Sequence, residues 1–216
     1  MPSVFLNGRT IDRFKKKILA ALNDGFSDLH INASPRTVGD RAQEVIEGLF
    51  AKGLPVAVGK AIQEKFARRA MADVAFTDTH KNYIVVDVKT HNEDTDFNMP
   101  NLTSVERLAR FYEDDSNCFA VMIAKYGTKG ATPKFNNLIF IPIEHLNWDC
   151  LTLGALGWGQ IQIANARIIN INPRQTRKQW MLKLCDALDI FYPREIEKIN
   201  DRIKRFKDIR AFWEKK

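Results

Sequence analysis

Three ionisable residues lie on two neighbouring segments that have the composition of β-strands. Asp73 stands near the start of the first segment, residues 72–76, and Asp87 and Lys89 stand near the end of the second, residues 84–89. The second segment is β-branched, and a polar stretch with turn-forming residues separates the two, so we predict an antiparallel pair of strands. Because side chains alternate between the faces of a strand, Asp87 and Lys89 should share one face, with Asp73 close to Asp87.

Two carboxylates and one ammonium around a single point suit the metal-dependent hydrolysis of a phosphodiester. Carboxylate oxygens are hard ligands for Mg²⁺, and such an ion lowers the pKa of an attacking water and stabilises charge on the phosphate. Lys89 would orient that water and stabilise its hydroxide form. The alternative is a set of solvent-exposed charges at the strand ends. The apolar neighbours disfavour it, because a buried charge is costly unless it pairs or binds a metal.

The segment from Asp73 to Lys89 resembles the catalytic motif of the PD-(D/E)xK nuclease superfamily, and within it the type II restriction endonucleases. The likeness extends over roughly residues 36–205, in the segments 90–104, 110–113, 119–124, 159–162 and 172–177. It implies that Asp73 and Asp87 bind the metal and that Lys89 is the catalytic lysine. The first acidic residue of the family usually follows proline, whereas Ala72 stands here. The choice of Asp73 over Asp78, which lies in the polar turn, therefore rests on its position in the strand.

The resemblance also implies that an early helix supplies a glutamate to the site. Glu44 and Glu47 lie on a predicted amphipathic helix over residues 37–49, and either could fill that place. The alternative is that both are ordinary solvated charges on a helix surface.

Two segments are candidates for contact with DNA bases. The first is the glycine-rich stretch over residues 154–162, where glycines allow close approach of the backbone and the amides of Gln160 and Gln162 can bond adenine edges. An ordinary glycine-rich loop is the alternative. The second candidate is the loop from residue 92 to residue 101, which carries Asn92, Asn98 and Asn101.

The positive charge of the chain is concentrated at its C-terminal end. The net charge is +7, and from Arg174 onward there are thirteen basic and seven acidic residues, a balance of +6. Such asymmetry is typical of proteins that bind polyanions, so we predict phosphate contacts from Arg174, Arg177 and Lys178. A basic but merely soluble helical segment is the alternative.

Hydrophobic periodicity predicts an α/β (α+β) chain with a mixed β-sheet flanked by helices and a helical C-terminal extension. Helical periodicity recurs in the N-terminal third and over residues 102–112, with strands at 71–76, 83–88, 118–126 and 138–143 and a further candidate at 161–171. Two C-terminal helices are predicted, at 175–191 and 195–213, the second with an apolar stripe that either packs on the domain or forms a dimer contact. We expect one domain over residues 1–216, with a core at about 36–173 and a basic extension at about 174–216.

Several other classes of protein are disfavoured by the sequence. No apolar run is long enough to span a membrane and the first residues lack the pattern of a secretory signal, so we expect a cytoplasmic bacterial or archaeal protein. The three cysteines, Cys118, Cys150 and Cys185, are widely spaced among apolar residues and are predicted to be buried thiols. The four histidines show no metal-ligand spacing, and neither a nucleophile elbow nor a Walker loop is present.

These observations and the resemblance predict a type II restriction endonuclease that hydrolyses double-stranded DNA with Mg²⁺ at a short palindromic site. A homodimer is expected, because a two-fold site matches a two-fold protein and each subunit carries one active site. The implied functional partner is a cognate DNA methyltransferase. The alternatives are a repair or junction-resolving nuclease of the same superfamily and a noncatalytic DNA-binding protein.

Overall fold

Three helices form the N-terminal part of the chain. The computed structural model describes residues 2–27, 34–52, 54–61, 71–95, 100–128, 132–165 and 168–216. The helices are α1 (Ser3–Leu6), α2 (Gly8–Gly25) and α3 (Pro35–Ala51). The Asn7 side chain caps α2 by accepting a hydrogen bond from Thr10 N, and Ser34 caps α3 by accepting one from Thr37 N. The sequence also predicts a helical piece around Ile62 and Phe66, which lies outside the described residues.

A mixed sheet of five strands forms the centre of the molecule, in the order β1-β2-β3-β5-β6. Its strands are β1 (Lys60–Ala61), β2 (Val74–Thr77), β3 (Tyr83–Asn92), β5 (Asn117–Gly127) and β6 (Lys134–Pro142). The pair β2–β3 is the predicted antiparallel hairpin, whereas β3 runs parallel to β5, with Asp87 opposite Val121. The predicted mixed sheet flanked by helices is therefore confirmed.

The two faces of this sheet pack against different parts of the chain. Ile84, Val86 and Val88 of β3 point into a core shared with α1, α2 and α3. The intervening position Val85 packs in a second core with residues from the C-terminal half of the chain. Because side chains alternate along a strand, Asp87 and Lys89 lie on the face of the second core.

The side chain of Asn23 connects α2 to β6, 112 residues later in the sequence. Asn23 of α2 accepts a 2.9 Å hydrogen bond from Phe135 N and donates a 3.0 Å bond to Phe135 O on β6. The amide thereby satisfies both backbone groups of one residue, which fixes the position of α2 on the sheet.

A second sheet of three strands, in the order β4-β8-β7, covers part of the other face. Its strands are β4 (Asn101–Ser104), β7 (Leu151–Gly154) and β8 (Gln160–Ile163), and α4 (Val105–Phe111) follows β4 directly. The helix predicted over 102–112 therefore begins later, because residues 101–104 pair with β8. The strand predicted over 161–171 ends at Ile163, and β7 was not predicted.

One helix of 38 residues, α5 (Arg177–Glu214), ends the chain. The prediction of two helices was wrong, since Pro193 lies inside the helix. The N-terminal half packs on the body through Trp180 and Leu184, which are buried. The apolar stripe of the C-terminal half is exposed, so the first alternative for it, packing on the domain, is wrong.

Two of the three cysteine thiols are buried. Cys118 and Cys150 are buried as predicted, but Cys185 is exposed on α5. Among the described residues, no helix is both long and apolar enough to cross a membrane.

Candidate functional site

The structure brings Asp73, Asp87 and Lys89 together on one face of the hairpin. Asp73 N donates a 3.0 Å hydrogen bond to Val86 O, and the Asp73 carboxylate accepts a 2.6 Å bond from Val88 N. Asp73 is therefore held against β3 through both its backbone and its side chain. Lys89 Nζ lies 2.7 Å from Asp87 Oδ1, in an ion pair on the same face of β3.

The carboxylate of Asp87 is buried and only half satisfied. Its side chain is 8% exposed, and Oδ2 has no hydrogen-bond partner among the described residues. The pKa of Asp87 is raised from 3.8 to about 7: burial is the largest cause and raises it, Lys89 lowers it, and the nearby charge of Asp73 raises it. Burial of a carboxylate next to a second carboxylate is unfavourable, and such an arrangement is typical of a functional site.

These features fit a divalent cation. Asp87 Oδ2 is a buried oxygen that no described residue hydrogen-bonds, and a cation there would offset both burial and repulsion between the two carboxylates. Within the described residues no group of three or more His, Cys, Asp or Glu side chains is placed to hold a metal ion. The pair Asp73 and Asp87 matches the way Mg²⁺ is commonly bound, with one or two carboxylates and the remaining positions taken by water and substrate phosphate.

A cleft of about 430 Å³ opens onto the two carboxylates. Its walls come from the start of β2, from β4 and α4, and from the turn between β7 and β8. The lining residues are Met71, Ala72, Asp73, Asp87, Leu102, Thr103, Ser104, Arg107, Leu156, Gly157, Trp158 and Gln160. The predicted catalytic pair and one predicted base-reading residue, Gln160, therefore share one cleft.

Arg107 and Trp158 line this cleft and were not singled out from the sequence. Arg107 lies on α4, which directly follows β4 of the second sheet. Trp158 is 70% exposed at the turn between β7 and β8. Trp158 could have been found from the sequence, because it stands between two glycines in a segment that was expected to approach DNA.

The turn that carries Trp158 depends on two glycines and on α5. Gly157 and Gly159 have φ values of 59° and 115°, and the second lies outside the regions that other residues adopt readily. Tyr192 of α5 donates a 2.7 Å hydrogen bond from its hydroxyl to Trp158 O. A Cβ on Gly159 would also lie within 3.5 Å of Phe191, so the turn packs closely on this helix.

The second sheet presents a polar face that continues from the cleft. Ile161 and Ile163 of β8 point into the second core, so Gln160 and Gln162 lie on the opposite face. Gln162 donates a hydrogen bond to Asn101, its partner across the strands. A Cβ on Gly154 would lie 2.8 Å from the Gln162 side chain, so the absence of a side chain at Gly154 gives Gln162 its space.

The other acidic candidates lie apart from the cleft lining. Asp78 is buried in the turn between β2 and β3, where it accepts hydrogen bonds from His80 N and from the backbone and side chain of Asn82. Glu44 and Glu47 are exposed on α3, where Glu44 pairs with Arg41 and Glu47 accepts a hydrogen bond from Gln43. These contacts assign Asp78 to the turn and leave the two glutamates outside the residues that line the cleft.

The remaining predicted DNA contacts are divided between the surface and the interior. Asn92 is half-buried and accepts a 2.9 Å hydrogen bond from Asp94 N, while Asn98 lies outside the described residues. Arg174 and Lys178 are exposed near the start of α5.

Arg177 has a structural role at the N-terminal end of α5. Its guanidinium lies 3.3 Å from the buried carboxylate of Glu144 and 4.1 Å from the centre of the Tyr112 ring. It also donates hydrogen bonds to the carbonyls of Asp115 and Asn117, at 3.3 and 2.7 Å. These contacts satisfy the guanidinium within the protein and attach α5 to the start of β5, so we do not assign Arg177 to DNA.

The chain was compared with protein-family models and with curated proteins. Neither the scan against protein-family models nor the search of curated proteins gives a match. The functional assignment therefore depends on the geometry of the cleft.

Proposed function

We propose that the protein is a Mg²⁺-dependent DNA endonuclease of the type II restriction class, and that it cleaves double-stranded DNA within a short palindromic site. The observation that carries the proposal is the pair Asp73 and Asp87 in the lining of one cleft, with Lys89 bonded to Asp87. The resemblance to the PD-(D/E)xK nucleases agrees with this arrangement.

Asp73 and Asp87 would hold the metal, with Asp87 Oδ2 as the oxygen that has no other partner in the described part of the chain. A bound Mg²⁺ supplies charge stabilisation at the scissile phosphate and lowers the pKa of a coordinated water. The ammonium of Lys89 is held beside the carboxylates, where it orients the attacking water and stabilises its hydroxide form. The Val88 N–H fixes the Asp73 carboxylate, so that the ligand is ordered before the substrate arrives.

The rim of the cleft provides the groups for DNA. Arg107 lines the cleft and would contact a phosphate of bound DNA, and Gln160 offers an amide that can bond the edge of a base. Trp158 is exposed beside them and can stack on a base or a sugar. In this scheme the protein acts as a homodimer, so that both strands are cut, and a cognate methyltransferase protects the host DNA.

The experiment that tests the proposal is digestion of plasmid and phage DNA by the purified protein, with Mg²⁺ or with EDTA. Wild type is compared with Lys89→Ala and with the control Lys134→Ala, whose residue is exposed on β6 and does not line the cleft. We expect discrete metal-dependent fragments from wild type and the control, and a loss of about 100-fold or more in Lys89→Ala.

Two other results would redirect the assignment. Cleavage confined to branched or damaged DNA, with plasmids left intact, would favour a repair or junction-resolving nuclease with the same catalytic residues. Binding without cleavage in any metal, unchanged in Asp87→Ala, would favour a noncatalytic DNA-binding protein.

A further inference from the structure

The C-terminal half of α5 carries an exposed stripe with the spacing of a coiled coil. Its large members follow one another at intervals that alternate between three and four residues. We call it the α5 stripe, formed by Tyr192, Ile196, Ile199, Ile203, Phe206 and Trp213. The same register places two charged residues in line with it, Asp189 before the stripe and Arg210 within it. Alternation of three and four residues keeps a seam on one side of a helix and allows two helices to pack against each other.

Among the described residues, nothing covers the central members of the stripe. Ile196, Ile199, Ile203 and Phe206 are 59%, 48%, 49% and 68% exposed. The segment from Pro193 to Glu214 continues beyond the buried part of α5 for about 33 Å at the rise of an α-helix. Helices that lack tertiary packing are marginal in water, and a contiguous apolar surface of this kind marks an interface.

We propose that the α5 stripe is an antiparallel helical interface with a second copy of this chain. The pairing is argued from the stripe itself, and the role of the dimer in cutting two strands rests on the proposed function. The position of the stripe along α5 permits the pairing, because its central members, Ile196 to Phe206, are exposed and follow the part of the helix that packs on the body through Trp180 and Leu184.

The charges along the stripe favour the antiparallel orientation. A parallel pair would place Asp189 against Asp189 of the partner subunit and Arg210 against Arg210 of the partner subunit, which is repulsive in both places. An antiparallel pair centred near residue 201 instead places Ile199 against Ile203 of the partner subunit. The same register places Tyr192 against Arg210 of the partner subunit, where the guanidinium can lie over the ring.

This register brings the partner's helix to the edge of the catalytic cleft. Tyr192 is the residue whose hydroxyl bonds Trp158 O in the turn that borders the cleft. The C-terminal end of one helix would therefore lie beside the Tyr192 that supports the cleft of the other subunit. The dimer thus braces both clefts, and each cleft depends on a contact across the two-fold axis.

The first test measures the molar mass of the full-length chain by light scattering coupled to gel filtration. The variant Ile199→Glu places a charge at the centre of the stripe, and the control Ile190→Glu places the same charge at an exposed position of α5 outside the stripe. We expect a dimer for wild type and for Ile190→Glu, and a monomer for Ile199→Glu. Both side chains are exposed, so circular dichroism should show the same folded body in all three proteins.

The second test determines the orientation by disulfide trapping under mild oxidation, in a background with Cys185→Ser. Chains with Ile199→Cys and chains with Ile203→Cys are mixed, one kind carrying a tag that changes its mass. Antiparallel pairing predicts cross-linked heterodimers that contain one chain of each kind. Cross-links confined to chains of the same kind would show parallel pairing and would overturn the proposed orientation.

The outcomes separate the interface from the nuclease. A wild-type monomer at micromolar concentration, with and without a DNA duplex, would overturn the interface even if the protein cleaves DNA. A dimer broken by Ile199→Glu would support the interface even if no DNA is cleaved. A wild-type monomer in which Ile199→Glu weakens DNA binding at least tenfold would assign the stripe to DNA instead and would also overturn the interface.

Discussion

The backbone N–H of Val88 donates a 2.6 Å hydrogen bond to the carboxylate of Asp73. This bond joins a metal-binding candidate on one strand to the backbone between Asp87 and Lys89 on the next. Asp73 therefore has two properties that substitutions can remove separately: its charge and its capacity to accept this hydrogen bond.

Asp73→Asn and Asp73→Ala should therefore differ in stability and agree in activity. Asn retains an oxygen that can accept the bond from Val88 N, whereas Ala leaves that N–H without its side-chain partner, at a cost of about 1–3 kcal/mol. Both lose the carboxylate and should lose Mg²⁺-dependent cleavage. Urea unfolding and plasmid digestion measure the two effects, and full activity in Asp73→Asn would contradict the assignment of Asp73 as a metal ligand.

Asp87 should make the stability of the metal-free protein dependent on pH. Its pKa is raised from 3.8 to about 7 in the folded chain, so between these values the folded chain binds a proton that the unfolded chain releases. The resulting stability is fully present below pH 3.8 and is lost as the pH rises through 7. In EDTA, the free energy of unfolding of wild type should fall relative to that of Asp87→Asn as the pH rises. The fall should be on the order of a few kcal/mol at pH 8.

Addition of Mg²⁺ should restore the stability of wild type at pH 8 and have little effect at pH 5, because the ion binds the ionised carboxylate. Asp87→Asn should respond weakly at both values. If the free energy of unfolding depended on pH in the same way in both proteins between pH 5 and pH 8 in EDTA, Asp87 would not carry the raised pKa.

Arg177→Ala should destabilise the protein, and Arg174→Ala should not. Loss of Arg177 leaves the carboxylate of Glu144 buried without its cation, which costs about 3 kcal/mol or more. Arg174 is exposed, so its substitution should change the free energy of unfolding by less than about 0.5 kcal/mol. Urea unfolding at pH 7 decides between them, and equal effects of the two substitutions would contradict the structural role of Arg177.

Gln160→Ala should relax the choice of DNA sequence more than it slows cleavage. Gln160 lines the cleft, and a side chain that bonds a base edge contributes about 1–3 kcal/mol to discrimination. Gln162→Ala is the matched comparison, since the amide of Gln162 is already bonded to Asn101. Cleavage of a pool of randomised duplexes, followed by sequencing of the products, measures discrimination at each position. A preference unchanged in Gln160→Ala would exclude this residue from base contact.

Gly159→Ala should disturb the cleft more than Gly157→Ala does. The φ of 115° at Gly159 is strained for any residue with a Cβ, and the added atom would lie close to Val105 and Phe191. Gly157 has a φ of 59° and open space around it, so alanine there should cost about 1 kcal/mol. Fluorescence quenching of Trp158 by iodide, in a Trp213→Phe background because Trp213 is also exposed, reports the position of the turn together with cleavage rates. Equal effects would mean that the packing against α5 does not hold the turn.

The sequence predicted local features well because they depend on local periodicity. The hairpin that carries Asp73 and Asp87 follows from alternation over a few residues, and it was found with the correct pairing. The start of α4 was placed three residues too early, because the strand character of residues 102–104 depends on β8, nearly sixty residues later in the chain. Two helices were predicted, at 175–191 and 195–213, yet Pro193 between them costs one hydrogen bond and the helix on both sides is long enough to continue through it.

The site was predicted in part for the same reason. Asp87 and Lys89 share a strand face, so their proximity follows from a period of two residues. Arg107 and Trp158 are brought to the cleft by the second sheet, and no local sequence pattern predicts that sheet. Arg177 has the sequence context of a surface cation, and only the fold brings it to Glu144.

The double hydrogen bond between Asn23 and Phe135 has a consequence for synthesis of the chain. The two residues are 112 positions apart, so α2 leaves the ribosome long before its partner strand exists. Until β6 has emerged, the apolar side of α2, with Phe14, Ile18 and Leu22, cannot complete its packing on the sheet. Nascent chains truncated before residue 134 therefore present that surface to chaperones, and the N-terminal helices are among the last parts of the protein to reach their native contacts.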